Sequence, residues 1–147
     1  MKAVRYNHAR VVFESRSVNE NFARAVVAGF VAPLDPTIAE LTDIRTAVSE
    51  AVTNCIVHAY PESTGDITLD MGLYENNVLR IAVVDRGRGI ADVRQAMTPL
   101  FTTGAEGERS GLGFSVMDSF MDTLRVTSKP GKGTRVIMTK HICSRAE

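Results

Sequence analysis

The sequence predicts an α+β fold in which helices cover one face of a mainly antiparallel sheet. Apolar residues alternate with polar ones over residues 67–73, as in a half-buried strand. Near the end of the chain, the turn sequence at residues 130–133 separates two strand-like segments. Two earlier segments have apolar residues at helical spacing, and each therefore has one apolar face to bury against a sheet.

The first two elements are predicted to be a strand and a helix. Residues 3–14 are rich in Val, Tyr and Phe, which favours a strand. Ser17 and Glu20 have the spacing of a capping box, which marks a helix start. The helix runs to about Ala32, where Pro33 stops it.

The second helix is the longest predicted element. Thr37 and Glu40 form another capping box at its start, and Pro61 closes the segment. Its apolar residues recur at helical spacing and predict one buried face, made of Leu41, Ile44, Val48, Ala51, Val52, Cys55 and Ile56.

The rest of the chain predicts two strands, a glycine-rich connection, a helix and a hairpin. The strands cover residues 67–73 and 78–84, and a short helical stretch at residues 92–97 interrupts the connection. The helix and the two hairpin strands then follow at residues 112–121, 124–128 and 134–140.

Composition limits the classes of function. The 147 residues have the length of a single domain, residues 1–147. Seventeen basic and seventeen acidic residues cancel, which gives no support for non-specific binding to nucleic acid or an anionic membrane. Cys55 and Cys143 lack the spacing of a zinc site, and no segment approaches the length of a membrane span. We therefore expect a cytoplasmic protein without direct nucleic-acid or membrane partners.

Polar residues with possible chemistry lie on the long helix and after the buried strand. Glu50 and Asn54 lie four residues apart, on one face of the helix and beside its apolar stripe. Asp85 ends the strand, and Gly87 and Gly89 after it allow the backbone to approach a ligand closely. Taken singly, these residues also fit a polar helix flank and an Asx turn.

A third glycine-rich segment precedes the last helix. Gly111 and Gly113 leave free backbone amides that suit a phosphate. The segment is neither a Walker A loop nor a dinucleotide-binding fingerprint, because the required residues and the βαβ context are missing. The sequence at residues 131–134 also suggests a phosphate loop, but flanking strands and the absence of a following helix favour a hairpin turn.

The order of these three elements resembles the N, G1 and G2 boxes of the GHKL family, which includes gyrase and the histidine kinases. This resemblance implies a two-layer α/β sandwich of the GHKL (Bergerat) type that binds ATP or ADP with Mg²⁺. The segments at residues 49–54, 58–60, 99–103 and 108–113 are similar to the anti-sigma serine kinase branch. Residues 22–24 and 34–36 narrow the similarity to the sporulation anti-sigma F factors.

The resemblance assigns a role to each box residue. Asn54 would ligate Mg²⁺, and Glu50 would be the general base for a serine hydroxyl. Asp85 would bind the adenine amino group, with Gly87 and Gly89 shaping the pocket. The phosphates would be bound by Gly111, Gly113 and Arg109.

The same resemblance implies a lid, a partner surface and a homodimer. Thr102 and Thr103 would lie on the lid, and Arg24 would lie on an exposed surface that contacts protein partners. Three residues depart from the family pattern: Gly104 and Gly107 should loosen the lid, and Ala59 replaces a usual glycine. None of the three belongs to a box.

Three functions remain open on these grounds. The first is an anti-sigma factor that sequesters sigma F and phosphorylates a serine of its anti-anti-sigma antagonist. The second is a nucleotide-gated binding module in which Glu50 no longer catalyses. The third is a switch kinase for a different, stress-response sigma factor. We do not expect a sensor histidine kinase, because such a kinase needs a phosphoacceptor helical hairpin before this domain and these 147 residues leave no room for one.

Overall fold

The computed structural model describes residues 3–97 and 113–143. Five strands form one sheet in the order β1-β2-β3-β5-β4, and all neighbouring strands are antiparallel. The strands are β1 (Arg5–Glu14), β2 (Asp66–Tyr74), β3 (Val78–Asp85), β4 (Thr123–Lys129) and β5 (Gly133–His141). The helices are α1 (Asn19–Val31), α2 (Ile38–Asn54), α3 (Val93–Met97) and α4 (Phe114–Phe120). The predicted fold class, an antiparallel sheet with helices on one face, is confirmed.

The core lies between the sheet and the helix layer, with α2 between α1 and α4. The predicted apolar face of α2 is confirmed, because Ile44, Val48 and Val52 have no solvent exposure. Alternate residues of β2, such as Ile67 and Leu69, belong to the same core and are also fully buried. The helix layer and the sheet thus share one apolar interior.

The predicted capping box at Ser17 is wrong. The residue before α1 is Val18, whose φ of −60° and ψ of −23° are already helical, and no side chain caps this end. A cap would require the Ser17 hydroxyl to accept from the Glu20 amide, but that amide donates to the Ser17 carbonyl oxygen (3.1 Å). The Glu20 carboxylate instead accepts one from Thr53 Oγ1 of α2 (3.2 Å).

The capping box at the start of α2 is confirmed. The Glu40 amide donates to Thr37 Oγ1 (3.0 Å), and the Thr37 amide donates to Glu40 Oε1 (2.8 Å). The second carboxylate oxygen of Glu40 accepts a hydrogen bond from the Cys143 amide (2.9 Å). The start of α2 is thereby joined to the segment that follows β5.

A π-helical turn, Cys55–Ala59, ends the long helical segment and directs the chain toward the sheet. The Tyr60 amide donates to the Cys55 carbonyl (3.0 Å), which closes the wider turn. The Tyr60 hydroxyl then donates to the Asp66 carbonyl (2.8 Å) and accepts from the Arg86 amide (2.7 Å). These bonds connect the end of α2 to the start of β2 and the end of β3.

Candidate functional site

A cavity of about 350 Å³ opens where the end of α2, the end of β3 and the start of β5 meet. Its wall includes residues from all three elements and from the start of α4: Asn54, Cys55, Asp85, Gly89, Phe114 and Thr134. The N and G1 segments, which lie about 30 residues apart in the sequence, therefore share one cavity. This juxtaposition is what the order of the boxes predicts.

Asp85 is buried in this wall, with only 6% of its surface exposed. Its Oδ1 accepts hydrogen bonds from the amides of Gly87 (2.9 Å) and Thr134 (3.2 Å). Its Oδ2 accepts one from the thiol of Cys55, with sulfur and oxygen 3.5 Å apart. The bond from the Gly87 amide forms the Asx turn that the sequence allows. Asp85 thus makes this turn and also lines the cavity.

Burial raises the pKa of the Asp85 carboxyl above its ordinary value, and the three hydrogen bonds oppose that rise by stabilising the charged form. Burial, followed by the charge of Asp85, raises the pKa of the Cys55 thiol well above its ordinary value. The sulfur therefore carries a proton at neutral pH and is the donor in this pair. A buried, hydrogen-bonded carboxylate of this kind can bind an N–H group of a ligand.

The two glycines after Asp85 are required by close backbone contacts. Gly89 lines the cavity with φ of +78°, and a Cβ there would overlap the Lys129 carbonyl. A Cβ on Gly87 would overlap the Ala59 carbonyl and side chain. Ala59 is the position where the sequence departs from the family's glycine, and its methyl group makes this approach tighter.

Asn54 is half-buried and lines the cavity. Among the described residues, no group of three His, Cys, Asp or Glu side chains could hold a metal ion. Mg²⁺ accepts one or two protein oxygens when substrate phosphates and water complete its octahedral shell. The carboxamide of Asn54 suits such a site, in which phosphate oxygens and water supply the other ligands.

Glu50 lies next to the cavity rather than in its wall. It is half-buried, and it ends a separate groove between α1 and α2 that Arg24, Arg45 and Ser49 also line. Burial, and secondly the negative charge of Glu20, raises the pKa of the Glu50 carboxyl above its ordinary value. Glu50 is thus a stronger base than an exposed glutamate, and it separates the cavity from the groove.

Gly113, the residue before α4, lies beside the Glu50 carboxylate. Its φ is +72°, and a Cβ at this position would overlap the Glu50 carboxylate. Of the predicted G2 and lid residues, only Gly113 can be placed, since Thr102, Thr103, Arg109 and Gly111 lie outside the described residues.

Arg24 is half-buried rather than exposed, which corrects the expectation of an open surface position. Its Nη1 donates to Ser49 Oγ of α2 (2.9 Å), and its Nη2 donates to Asn21 Oδ1. These bonds hold the guanidinium against the groove that ends at Glu50.

Several cavity residues are not predicted as such from the sequence. Thr134 is predicted only as part of a hairpin, although its amide reaches Asp85 because the two residues are partners in the β3–β5 register. Cys55 is predicted only on the apolar face of α2, yet it lines the cavity, as does His58. The hairpin itself is confirmed, with Lys129 paired to Gly133.

Comparison with known sequences identifies the family. Residues 13–140 match the histidine kinase-like ATPase domain. The chain belongs to this family. It is 58% identical over 136 residues to the anti-sigma F factor of Caldanaerobacter subterraneus subsp. tengcongensis, covering 92% of this chain and 94% of the relative. It is 50% identical over 136 residues to the anti-sigma F factor of Geobacillus thermodenitrificans, covering 92% of this chain and 93% of that relative. The predicted resemblance is confirmed.

Solved structures show the same fold. The RsbU and RsbW domains of a Mycobacterium tuberculosis protein align over 97% of this chain and 34% of that one, with a TM-score of 0.71 and 19% identity. The catalytic domain of the histidine kinase ThkA aligns over 91% of this chain and 96% of its own, with a TM-score of 0.56 and 17% identity. The predicted GHKL-type sandwich is confirmed, and this ATPase domain family is a nucleotide-binding one. None of the described helices is long and apolar enough to cross a membrane.

Proposed function

We propose that this histidine kinase-like domain, spanning residues 1–147, is an ATP-dependent anti-sigma factor and a protein serine kinase. It sequesters sigma F and phosphorylates a serine of the anti-anti-sigma protein that opposes it. The observation that carries the proposal is the cavity containing Asp85 and Asn54, with Glu50 at its edge. The identity of 58% to an anti-sigma F factor over nearly the whole chain supports the partners.

In this proposal the cavity binds ATP. Asp85 accepts a hydrogen bond from the adenine amino group, while Gly87 and Gly89 let the backbone approach the base. Asn54 would hold Mg²⁺ through its side-chain oxygen, and the bound ion would neutralise charge on the phosphates. Gly111, Gly113 and Arg109 bind the phosphates, and ADP occupies the same site after transfer.

The two openings on either side of the Glu50–Asn54 turn suit a reaction between a nucleotide and a protein. The nucleotide enters the cavity beside Asn54, and the acceptor serine approaches from the groove beside Arg24 and Ser49. Glu50, with its raised pKa, accepts the proton of the serine hydroxyl as the phosphoryl group is transferred. Thr102 and Thr103 belong to the lid over the nucleotide.

Protein partners are proposed to bind along the groove. Arg24 lines the groove and is held by hydrogen bonds to Ser49 and Asn21, so a partner meets a cation already held in one place. A homodimer is proposed through the helix-free face of the sheet. That face carries the exposed side chain of Val12 beside Arg10, which pairs with Asp70 (3.0 Å).

The proposal is tested with γ-labelled ATP, Mg²⁺ and candidate anti-anti-sigma proteins. Label on a serine of one candidate supports the kinase, and capture of sigma F from a panel of sigma factors supports the anti-sigma role. A nucleotide-gated binding module would capture sigma F without any transfer of label. Capture of a different sigma factor would instead identify the stress-response switch kinase.

A further inference from the structure

Hydrogen bonds from the described residues occupy most of the acceptor positions of the Asp85 carboxylate. A carboxylate has about four lone-pair positions, two on each oxygen. The amides of Gly87 and Thr134 occupy both positions of Oδ1, and the thiol of Cys55 occupies one of Oδ2. Within the part of the chain that the structure describes, one position on Oδ2 therefore remains for a ligand.

This arrangement determines which base edge Asp85 can bind. A 6-aminopurine presents a single N–H donor toward one oxygen. Guanine presents two parallel N–H donors, which bind a carboxylate best when each oxygen accepts one. Because Oδ1 is already occupied by two backbone amides, the paired mode is blocked and the single-donor mode remains.

The thiol of Cys55 holds the open oxygen in place. It reaches Oδ2 from the π-helical turn after α2, whereas the two amides reach Oδ1 from the loop after β3 and from β5. Three chain segments thus fix one side chain whose final torsion is otherwise broad. Cys55 is 3% exposed and also forms part of the cavity wall beside Asp85.

We propose that Cys55 is a positioning residue of the nucleotide site, which directs Asp85 Oδ2 toward a single base amino group and so favours a 6-aminopurine nucleotide. This inference rests on the proposed function, because it requires that the cavity bind ATP.

The test compares two nucleotides and two replacements of Cys55. ATP carries the 6-amino group, whereas purine riboside triphosphate has only hydrogen at that carbon and offers Asp85 no donor. Cys55→Ala removes the thiol. In Cys55→Ser the shorter C–O bond leaves the hydroxyl too far from Oδ2 to replace the 3.5 Å sulfur contact. The hydroxyl can instead donate to the Ala51 carbonyl one turn back.

We expect both variants to lose about three- to tenfold in ATP affinity by calorimetry, the effect of one ordinary hydrogen bond. Affinity for purine riboside triphosphate should stay the same. Cys55→Ser keeps nearly the original side-chain volume, so it should stay folded even if Cys55→Ala does not. Val52→Ala is the matched control, since Val52 is fully buried in the last turn of α2, next to the π-helical turn of Cys55, but does not line the cavity. It should leave the ratio of the two affinities unchanged.

Equal losses for the two nucleotides would show that Cys55 supports only the fold around the cavity and would overturn the inference. Unchanged ATP affinity in both variants would overturn it as well. Failure of the wild-type protein to bind ATP would contradict the proposed function itself, and that outcome is separate from either result with the variants.

Discussion

Replacing Asp85 with asparagine tests the base-binding carboxylate with almost no change in shape. The amide oxygen of the new side chain can keep the Oδ1 position, where the Gly87 and Thr134 amides donate. The opposite orientation would place an NH₂ group against those two donors and is unfavourable. The NH₂ group of the introduced asparagine must then occupy the Oδ2 position, facing both the Cys55 thiol and the adenine amino group.

The expected magnitude follows from this geometry. A hydrogen bond to a charged group contributes about 1.5–3 kcal/mol, and each 1.4 kcal/mol is about a factor of ten in affinity. Asp85→Asn should therefore weaken ATP binding by about 10- to 100-fold. Thermal stability should change little, because burial raises the pKa of Asp85 and the neutral amide removes that desolvation cost.

Isothermal calorimetry at neutral pH with ATP and GTP measures this effect, and thermal unfolding followed by circular dichroism checks the fold. We expect the preference for ATP over GTP to shrink in the variant. Equal ATP and GTP affinity in the wild-type protein, or unchanged ATP affinity in a folded Asp85→Asn variant, would refute the assignment of Asp85 to the base.

Three further predictions concern the Mg²⁺ ligand Asn54, the pKa of the general base Glu50 and the cap of α2. Asn54→Ala should abolish the Mg²⁺ dependence of ATP binding while the protein stays folded; an unchanged Mg²⁺ titration would exclude Asn54 as a ligand. Glu20→Gln should move the acid limb of the phosphorylation rate to lower pH, because removing a nearby negative charge lowers the pKa of Glu50. The exposed Glu62→Gln is its control, and coincident pH profiles would contradict the argument. Thr37→Ala should lower the free energy of unfolding in urea by about 0.5–2 kcal/mol through loss of the helix cap, and no change would count against it.

The elements that the sequence predicts correctly are those defined by local periodicity. The apolar face of α2 and the alternation along β2 depend only on residue spacing, and the capping box at Thr37 depends on contacts within one turn. The box at Ser17 fails although its sequence pattern is equally good. There the Glu20 carboxylate, which the box would use, accepts a hydrogen bond from Thr53, 33 residues away, and the local sequence does not reveal that contact.

The candidate site is predictable to the extent that its residues belong to a motif. Asp85, Asn54 and Gly89 are identifiable from their order along the chain and do share one cavity. Thr134 is not, because its contact with Asp85 exists only through the pairing of β3 with β5, 49 residues apart. Cys55 resembles any other buried residue of an apolar helix face until the register of α2 against the sheet is known.

The separation of catalysis from binding is the most direct test of the proposed function. Glu50→Gln keeps the size of the side chain, which still fits beside Gly113, but it cannot accept the serine proton. In a single-turnover assay with γ-labelled ATP and the anti-anti-sigma protein, we expect a loss of about 10²- to 10⁴-fold in rate. Binding of ATP and of sigma F should remain at wild-type strength. Phosphorylation at a near-normal rate by the variant would contradict the role of Glu50 as the base, and the absence of phosphate transfer by the wild-type protein would contradict the kinase itself.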